Sequence, residues 1–106
     1  MDAIVAETGL LISAGTVVEA LIAAARRNVL AGMELLLDDL GFEIVPLTAA
    51  AARQAGEAYR QWGKGFHAAG LNFGACFAYA LAKERGCPLL SVGKDFARTD
   101  ITSALP

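Results

Sequence analysis

Short apolar runs alternate along the chain with longer segments whose apolar positions recur at helical spacing. The runs LLIS at 10–13, FEIVPL at 42–47 and LLSV at 89–92 have the length of strands, and the first is continuous instead of alternating. Continuous apolar runs are typical of strands that are covered on both faces. Strands that alternate with helices predict an α/β fold, in which a short parallel sheet lies between helices on both sides.

Capping residues mark the ends of the helical segments. The four predicted helices cover residues 16–28, 30–40, 49–62 and 72–86. The residues that bound them are common helix caps: the capping box Thr16-Val17-Val18-Glu19, the side chains of Thr48 and Asn72, and the glycines Gly41 and Gly86. Residues 2–8 have helical character and are predicted to be the tail of an element. A last short extended piece is predicted near Ile101.

Length and charge limit what such a fold can do. The chain has 106 residues, which suits one domain over residues 1–106. Its net charge is −2, so a contact with RNA or phosphate needs a local basic patch. The candidates are five basic residues, although solvation is the commoner reason for them: Arg26, Lys64, His67, Lys94 and Arg98. No apolar run reaches the about 18 residues of a membrane span and no signal peptide is visible, so we expect a cytoplasmic protein.

The two cysteines, Cys76 and Cys87, are not in a CxxC motif. Their positions predict small, buried core residues in a reducing compartment. An enzyme that uses one of these thiols together with His67 is a weaker hypothesis, because a reactive thiolate needs an exposed, electropositive setting.

Acidic residues fall where parallel sheets carry their chemistry, beyond the carboxyl ends of the strands. Glu19 lies in the helix after strand 10–13, and Asp95 directly follows strand 89–92. If the two carboxylates converge, a hard cation such as Mg²⁺ or Mn²⁺ is the expected ligand. Structural explanations remain open: Glu19 can complete the capping box with Thr16, Asp95 can be a turn or cap residue, and Asp100 is expected to be a turn carboxylate.

Position 75 departs from this pattern. It lies in the first turn of the fourth helix, where the helix dipole favours an acid, and no packing stripe of that helix predicts an alanine there. The residue is nevertheless Ala75.

Three segments together resemble the VapC-type PIN-domain ribonucleases, the toxins of bacterial toxin–antitoxin pairs. They are ISAGTVVEALIAAARR, WGKGFHAAGLNFGACFAYALAKERGCPLL and VGKDFARTDI, and the resemblance runs from about residue 9 to 103. It implies a PIN-like three-layer α/β/α fold and an endoribonuclease that uses Mg²⁺ or Mn²⁺. It also implies that Glu19 and Asp95 are the catalytic and metal-binding acids, and that Ala75 stands where the motif, typically NFGDCF, has aspartate. The expected partners are an RNA substrate, a cognate antitoxin and a second copy of the chain.

The amino-terminal part departs from the family pattern more strongly. Family members begin with a strand that carries the first acid, in a pattern like VDTSAL, and that strand lies at the centre of the sheet. This pattern is absent, so we expect a PIN-like domain truncated at its amino terminus, with the first strand missing between strands 10–13 and 89–92. Each unpaired backbone group would cost about 1–3 kcal/mol. The gap is therefore expected to be filled by upstream residues, by a strand from a partner, or by a rearranged fold.

Two functions follow from these expectations. The first is a VapC-like, metal-dependent endoribonuclease that is inactive or impaired, because two of four expected acids are absent. The alternative is a non-catalytic remnant, or an engineered variant, that acts only as an antitoxin-binding or dimerisation module.

Overall fold

The computed structural model describes residues 1–91 and 96–105. Within them lie four strands and four helices. In chain order these are β1 (Ala3–Ala6), β2 (Gly9–Ser13), α1 (Ala14–Arg26), α2 (Leu30–Asp39), β3 (Glu43–Val45), α3 (Ala49–Trp62), α4 (Ala75–Arg85) and β4 (Leu89–Leu90). Two of the predicted site residues, Lys94 and Asp95, lie outside the described residues, as does the end of predicted strand 89–92.

The strands form one sheet in the order β3-β2-β1-β4. Strands β2 and β3 are parallel, with Ile12 opposite Ile44, whereas β1 is antiparallel to both of its neighbours. The predicted α/β class is confirmed. The sheet is mixed and not wholly parallel, because β1 runs against the other strands.

Strand β1 corrects two predictions about the amino terminus. Residues 2–8 are not the tail of a helix, and the centre of the sheet is not missing, because Ala3–Ala6 fills the position between β2 and β4. Ile4 pairs with Leu11 on one side and with Leu89 on the other, and it is fully buried. In this structure, residues of the chain itself occupy that position. Two ladders and a buried side chain outweigh the weak local helical preference.

A tight turn makes this arrangement possible. Strands β1 and β2 are joined through Glu7 and Thr8, and Gly9 has a φ of 136°. Only glycine adopts such a backbone without strain. The resulting hairpin reverses the chain within a few residues, so β1 enters the sheet antiparallel.

Several helix ends agree with their predicted caps, whereas the starts of α1 and α4 do not. Thr48 Oγ1 accepts a hydrogen bond from the Ala51 amide at 3.1 Å, and Gly41 and Gly86 have positive φ values of 65° and 62°. Helix α1, however, begins at Ala14 and not at Thr16. Ser13 is its N-cap, and Ser13 Oγ accepts from the Gly15 amide at 3.1 Å.

The core lies where α4 packs on the sheet. Helix α4 contacts β1, β2 and β4, and also α3 and α1. Ala78 at its centre is fully buried, and Cys76 is 3% exposed. Helices α1 and α4 approach closely at Gly15, where an added Cβ would lie 2.6 Å from the Phe77 ring. This close approach brings the acid of α1 to the amino end of α4.

The carboxyl-terminal segment pairs with β4 through an isolated β-bridge of Ser103 with Leu89, two residues beyond the extended piece predicted near Ile101. The Leu89 amide donates to the Thr102 carbonyl at 2.9 Å, and the Ala104 amide donates to the Leu89 carbonyl at 2.8 Å.

Candidate active site

Glu19 lies at the amino end of helix α4. Its carboxylate packs directly against Gly74, so that a Cβ added at Gly74 would overlap it. Gly74 is the N-cap of α4 and Ala75 is the first residue of the helix. Glu19 therefore lies beside position 75, whereas its predicted convergence with Asp95 concerns a residue outside the described part of the chain.

The capping explanation for Glu19 is wrong. The N-cap of α1 is Ser13, three residues before Thr16, and Thr16 lies inside the helix. Thr16 is 3% exposed, and its hydroxyl oxygen has no hydrogen-bond partner among the residues that the structure describes. Glu19 is thus not a partner in a capping box, and a buried hydroxyl one turn before it is left unsatisfied.

The electrostatic surroundings of Glu19 include a residue that sequence reasoning missed. Partial burial raises the pKa of Glu19, the negative charge of Asp2 raises it further, and the amino-terminal ammonium group opposes both. Asp2 is thus close enough for the two carboxylates to repel each other.

Because β1 runs antiparallel to its neighbours, Asp2 lies at the carboxyl edge of β2 and β4. Ala3 pairs with Leu90, and the register of Ile4 with Leu11 continues to bring Asp2 level with Ser13, the last residue of β2. The start of β1 therefore lies at the carboxyl edge of β2 and β4. The apolar run AIVA, followed by ETG and LLIS, is a hairpin signal that could have identified β1 and with it Asp2.

Ala75 has a packing role that was not expected. It is 4% exposed and belongs to the core cluster, so the expectation that no packing favours an alanine there is wrong. Its amide donates to Asn72 Oδ1 at 2.8 Å, but the N-cap of α4 is Gly74 and not Asn72 as predicted. The position is nonetheless next to Gly74 and the Glu19 carboxylate.

The predicted basic residues are divided between different parts of the surface. Arg26 lines the same groove as Glu19, two turns further along α1. Lys64 and His67 lie in the loop after α3, where the His67 ring packs edge-on against Trp62 at 4.8 Å between centroids. Arg98 is exposed.

Asp100 has the structural role that was expected of it. It accepts hydrogen bonds from the Tyr79 hydroxyl at 2.6 Å and from Lys83 Nζ at 2.7 Å. These bonds join the carboxyl-terminal segment to helix α4.

A groove of about 590 Å³ extends from Glu19 along helix α1. Its walls are mostly apolar, and Phe73 is 76% exposed beside it. Arg26 and Arg27 lie at the end away from Glu19. The groove therefore presents an acid at one end and two guanidinium groups at the other.

The thiols do not offer a nucleophile. Burial raises the pKa of Cys76, and its Sγ donates to the Asn72 carbonyl at 3.4 Å. Cys87 is only half-buried, less than expected, and its Sγ donates to the Arg85 carbonyl at 3.3 Å. Both cysteines are free.

The donors at the edge of the sheet are oxygens. Within residues 1–91 and 96–105, no three His, Cys, Asp or Glu side chains form a metal cluster. The Glu19 carboxylate, which packs against Gly74, offers oxygen donors of the kind that Mg²⁺ prefers. Mg²⁺ is commonly held by one or two carboxylates and several waters, so the chemistry of Glu19 fits a hard divalent cation.

Comparison with known proteins identifies the family of this chain. Residues 1–101 match the PIN domain family. This chain belongs to the PIN-domain family. Within it, the chain is similar to a VapC ribonuclease of Mycobacterium bovis and to ribonuclease VapC30 of Mycobacterium tuberculosis, each 51% identical over 75 residues. A ribonuclease VapC of Mycolicibacterium smegmatis is 46% identical over 71 residues.

These matches cover only part of each relative. The first two cover 70% of this chain and 57% of the relative, and the third covers 67% and 55%. This PIN domain therefore spans little more than half the length of the curated relatives that it matches. Among the residues that the structure describes, no helix has both the length and the apolar character to cross a membrane.

Proposed function

We propose that this chain is the catalytic domain of a VapC-type, metal-dependent endoribonuclease that acts as the toxin of a toxin–antitoxin pair, and that Ala75 impairs it. The observation that carries the proposal is the Glu19 carboxylate, which packs against Gly74 at the amino end of α4. The similarity to three mycobacterial VapC ribonucleases supports the same activity.

Glu19 and Asp95 are the proposed ligands of Mg²⁺ or Mn²⁺. When bound, such an ion activates a water and stabilises charge on a phosphodiester. The chain's own part is to hold the ion at the carboxyl edge of the sheet and to position RNA in the groove. Arg26, at the far end of that groove, is the basic residue best placed to contact an RNA phosphate. Lys64, His67, Lys94 and Arg98 stay predicted contacts.

Impairment follows from the side chain at position 75. Ala75 provides no oxygen donor, although its backbone lies beside the Glu19 carboxylate. A metal held by fewer carboxylates binds more weakly, so a larger fraction of the protein is without metal at a given concentration.

Cleavage of structured RNA in the presence of Mn²⁺ tests the proposal. We expect slow cleavage that disappears in Glu19→Ala and on chelation, because both remove the metal. Glu34→Ala, an exposed acid on helix α2, is the matched control and should cleave like the unchanged chain. Cleavage that survives Glu19→Ala would contradict the proposal.

Restoring the missing carboxylate tests the impairment. Ala75→Asp places an acid in the first turn of α4, where the helix dipole favours it and where Mn²⁺ would lie between it and Glu19. We expect faster cleavage and tighter Mn²⁺ binding, with a cost in stability because Ala75 is buried. Unchanged cleavage in a folded Ala75→Asp variant would show that position 75 is not part of the site.

A non-catalytic binding module is the second candidate, and the surface of α2 favours it. None of the residues of α2 is buried, and Leu35, Leu36 and Leu40 are 62%, 43% and 48% exposed. Apolar patches of this kind mark interaction sites, such as a dimer interface or an antitoxin site. Leu35→Glu should weaken self-association or antitoxin binding in sedimentation, and absence of cleavage in Ala75→Asp would favour this candidate.

A further inference from the structure

We propose that two exposed phenylalanines, Phe66 and Phe73, are stacking surfaces for the bases of single-stranded RNA. Lys64 and His67 contact the phosphates beside Phe66. The inference rests on the proposed function, because it describes how an RNA substrate lies on the surface that leads to Glu19. Neither ring carries a metal donor, so the inference can be tested without metal.

Both rings present most of their surface to solvent. Phe66 is 64% exposed and Phe73 is 76% exposed. Each makes one edge-on ring contact: Phe66 with Tyr59, at 6.0 Å between centroids, and Phe73 with Phe77, at 5.1 Å. The inner ring of each pair is half-buried, so it supports the outer ring and leaves most of it open to a ligand.

The two pairs of rings form one aromatic strip, made of Phe66, Tyr59, Phe73 and Phe77. A cavity of about 250 Å³ is lined by Tyr59 from the first pair and by Phe73 and Phe77 from the second. Phe73 and Phe77 also line the groove that contains Glu19. The aromatic strip therefore leads from the loop after α3 to the acid at the amino end of α4. Single exposed apolar residues are ordinary, whereas a row of them is typical of a binding surface.

The loop that carries Phe66 is held in a defined conformation. The Lys64 amide donates to the Leu71 carbonyl at 2.9 Å, which joins the two ends of the loop. Inside the loop, the Phe66 amide donates to the Gly63 carbonyl at 2.9 Å and the His67 amide donates to the same carbonyl at 3.0 Å. Because the backbone is fixed by these bonds, the ring is already placed before a base stacks on it, and little conformational entropy is lost on binding.

Two hydrogen-bond donors flank Phe66. The Ala69 amide donates to His67 Nδ1 at 2.9 Å, so the proton of the neutral His67 ring lies on Nε2. Lys64 and His67 are both exposed, and within the part of the chain that the structure describes neither His67 Nε2 nor Lys64 Nζ has a partner. A positive charge and an N–H donor beside a ring complement the phosphate and the base of a nucleotide, which an apolar protein partner would not require. The charges therefore favour RNA as the ligand of the aromatic strip.

Binding of a short, fluorescein-labelled polyuridine strand, followed by fluorescence anisotropy in the presence of EDTA, tests the inference without metal and without cleavage. Phe66→Leu and Phe73→Leu remove a ring and keep an apolar side chain. Lys64→Gln removes the positive charge, and His67→Ala removes the Nε2 donor. Thermal melting identifies any variant that fails to fold.

We expect each of the two leucine variants to weaken RNA binding by roughly fivefold or more, because a base loses its stacking partner. Phe66→Trp keeps a ring and should bind at least as tightly as the unchanged chain. Lys64→Gln should weaken binding and lower the slope of log affinity against log salt by about 0.7, whereas the leucine variants should leave that slope unchanged. The matched controls are Leu35→Ala, an exposed apolar residue of α2, and Arg53→Gln, an exposed cation of α3, and both should bind like the unchanged chain.

The outcomes separate this inference from the proposed function. Unchanged RNA binding in either leucine variant would overturn the role of that ring, and altered sedimentation of the same variant would assign the ring to a protein contact. Cleavage that depends on Glu19, together with unchanged binding in both leucine variants, would overturn the aromatic strip and leave the nuclease proposal intact. The expected binding pattern in EDTA without any cleavage in Mn²⁺ would support the aromatic strip and contradict the nuclease. No RNA binding by the unchanged chain would overturn the inference.

Discussion

The region around Glu19 and the cluster around Tyr79 both bring polar side chains together from distant segments. They differ in how many of those polar groups have a hydrogen-bond partner. In the Tyr79 cluster, Trp62 Nε1 donates to the Tyr79 hydroxyl at 2.7 Å, the hydroxyl donates to Asp100, and Lys83 pairs with the same carboxylate. Each polar group there has a partner from a distant segment.

In the region around Glu19, a buried hydroxyl has no hydrogen-bond partner within the described residues. Thr16 is buried without a hydrogen bond, and Asp2 raises the pKa of Glu19 instead of stabilising its charge. Satisfied networks make a fold rigid, whereas unsatisfied groups are expected at sites that bind something. The Tyr79 cluster therefore joins distant segments of the domain through satisfied hydrogen bonds, whereas the polar groups near Glu19 contribute no comparable network.

The largest effect on this contrast is expected from Gly74→Ala. The new methyl group would overlap the Glu19 carboxylate, which lies at the end of a flexible side chain and can move away. Gly74 has a φ of −67° and a ψ of −37°, so alanine fits its backbone. We expect Mn²⁺ binding to weaken by roughly tenfold while the melting temperature stays the same or rises.

Gly56→Ala is the control for that substitution. Gly56 lies inside α3 with open space around its Cα, so alanine should stabilise the helix by about 0.5–1 kcal/mol and leave Mn²⁺ binding unchanged. Loss of stability in Gly74→Ala with unchanged Mn²⁺ binding would contradict the position of Glu19.

An intermediate effect is expected in the satisfied cluster. Tyr79→Phe removes the donor to Asp100 and the acceptor for Trp62, and it leaves the indole N–H without its partner. We expect the free energy of unfolding in urea to fall by about 1–3 kcal/mol. Tyr59→Phe is the matched control, since its hydroxyl makes one exposed bond of 3.3 Å to the Lys64 carbonyl. Equal losses in the two variants would mean that the cluster contributes no special stability.

The smallest expected effect is that of pH on stability, and its sign differs between Asp100 and Glu19. The hydrogen bonds from Lys83 and Tyr79 lower the pKa of Asp100, so its contribution to stability is present above its ordinary pKa of 3.8 and is lost as pH falls through the lower folded value. Burial and Asp2 raise the pKa of Glu19 above 4.5, so its ionisation destabilises the metal-free protein at neutral pH.

Melting temperatures measured without metal between pH 3 and pH 7 check these signs. Glu19→Gln should melt slightly higher than the unchanged chain at pH 7, and the difference should vanish as pH falls below 4.5. Asp100→Asn should melt lower at pH 7 and approach the unchanged chain in acid. If both variants shift the melting temperature in the same direction at pH 7, the contrast between Glu19 and Asp100 is wrong.

Local signals were sufficient for much of the fold. Thr48 caps α3 where its hydroxyl precedes an alanine-rich segment, and Gly86 ends α4 with a left-handed backbone. Glu19 could be placed near the carboxyl end of β2 because its helix follows that strand. The same reasoning placed the start of α1 at Thr16, which is wrong. Ser13 and Thr16 can both cap a helix, and Ser13 is the N-cap because it stands at the end of β2.

The sequence by itself determined the helices α2 to α4, the strands that follow the apolar runs, and the absence of a carboxylate at position 75. These depend on contacts between residues near each other along the chain. The sequence carries a hairpin signal for residues 3–6, but only the tertiary structure decided that this strand lies between β2 and β4. The pairing of Ile4 with Leu89 joins residues that are 85 positions apart in the chain, and no local preference encodes such a pairing.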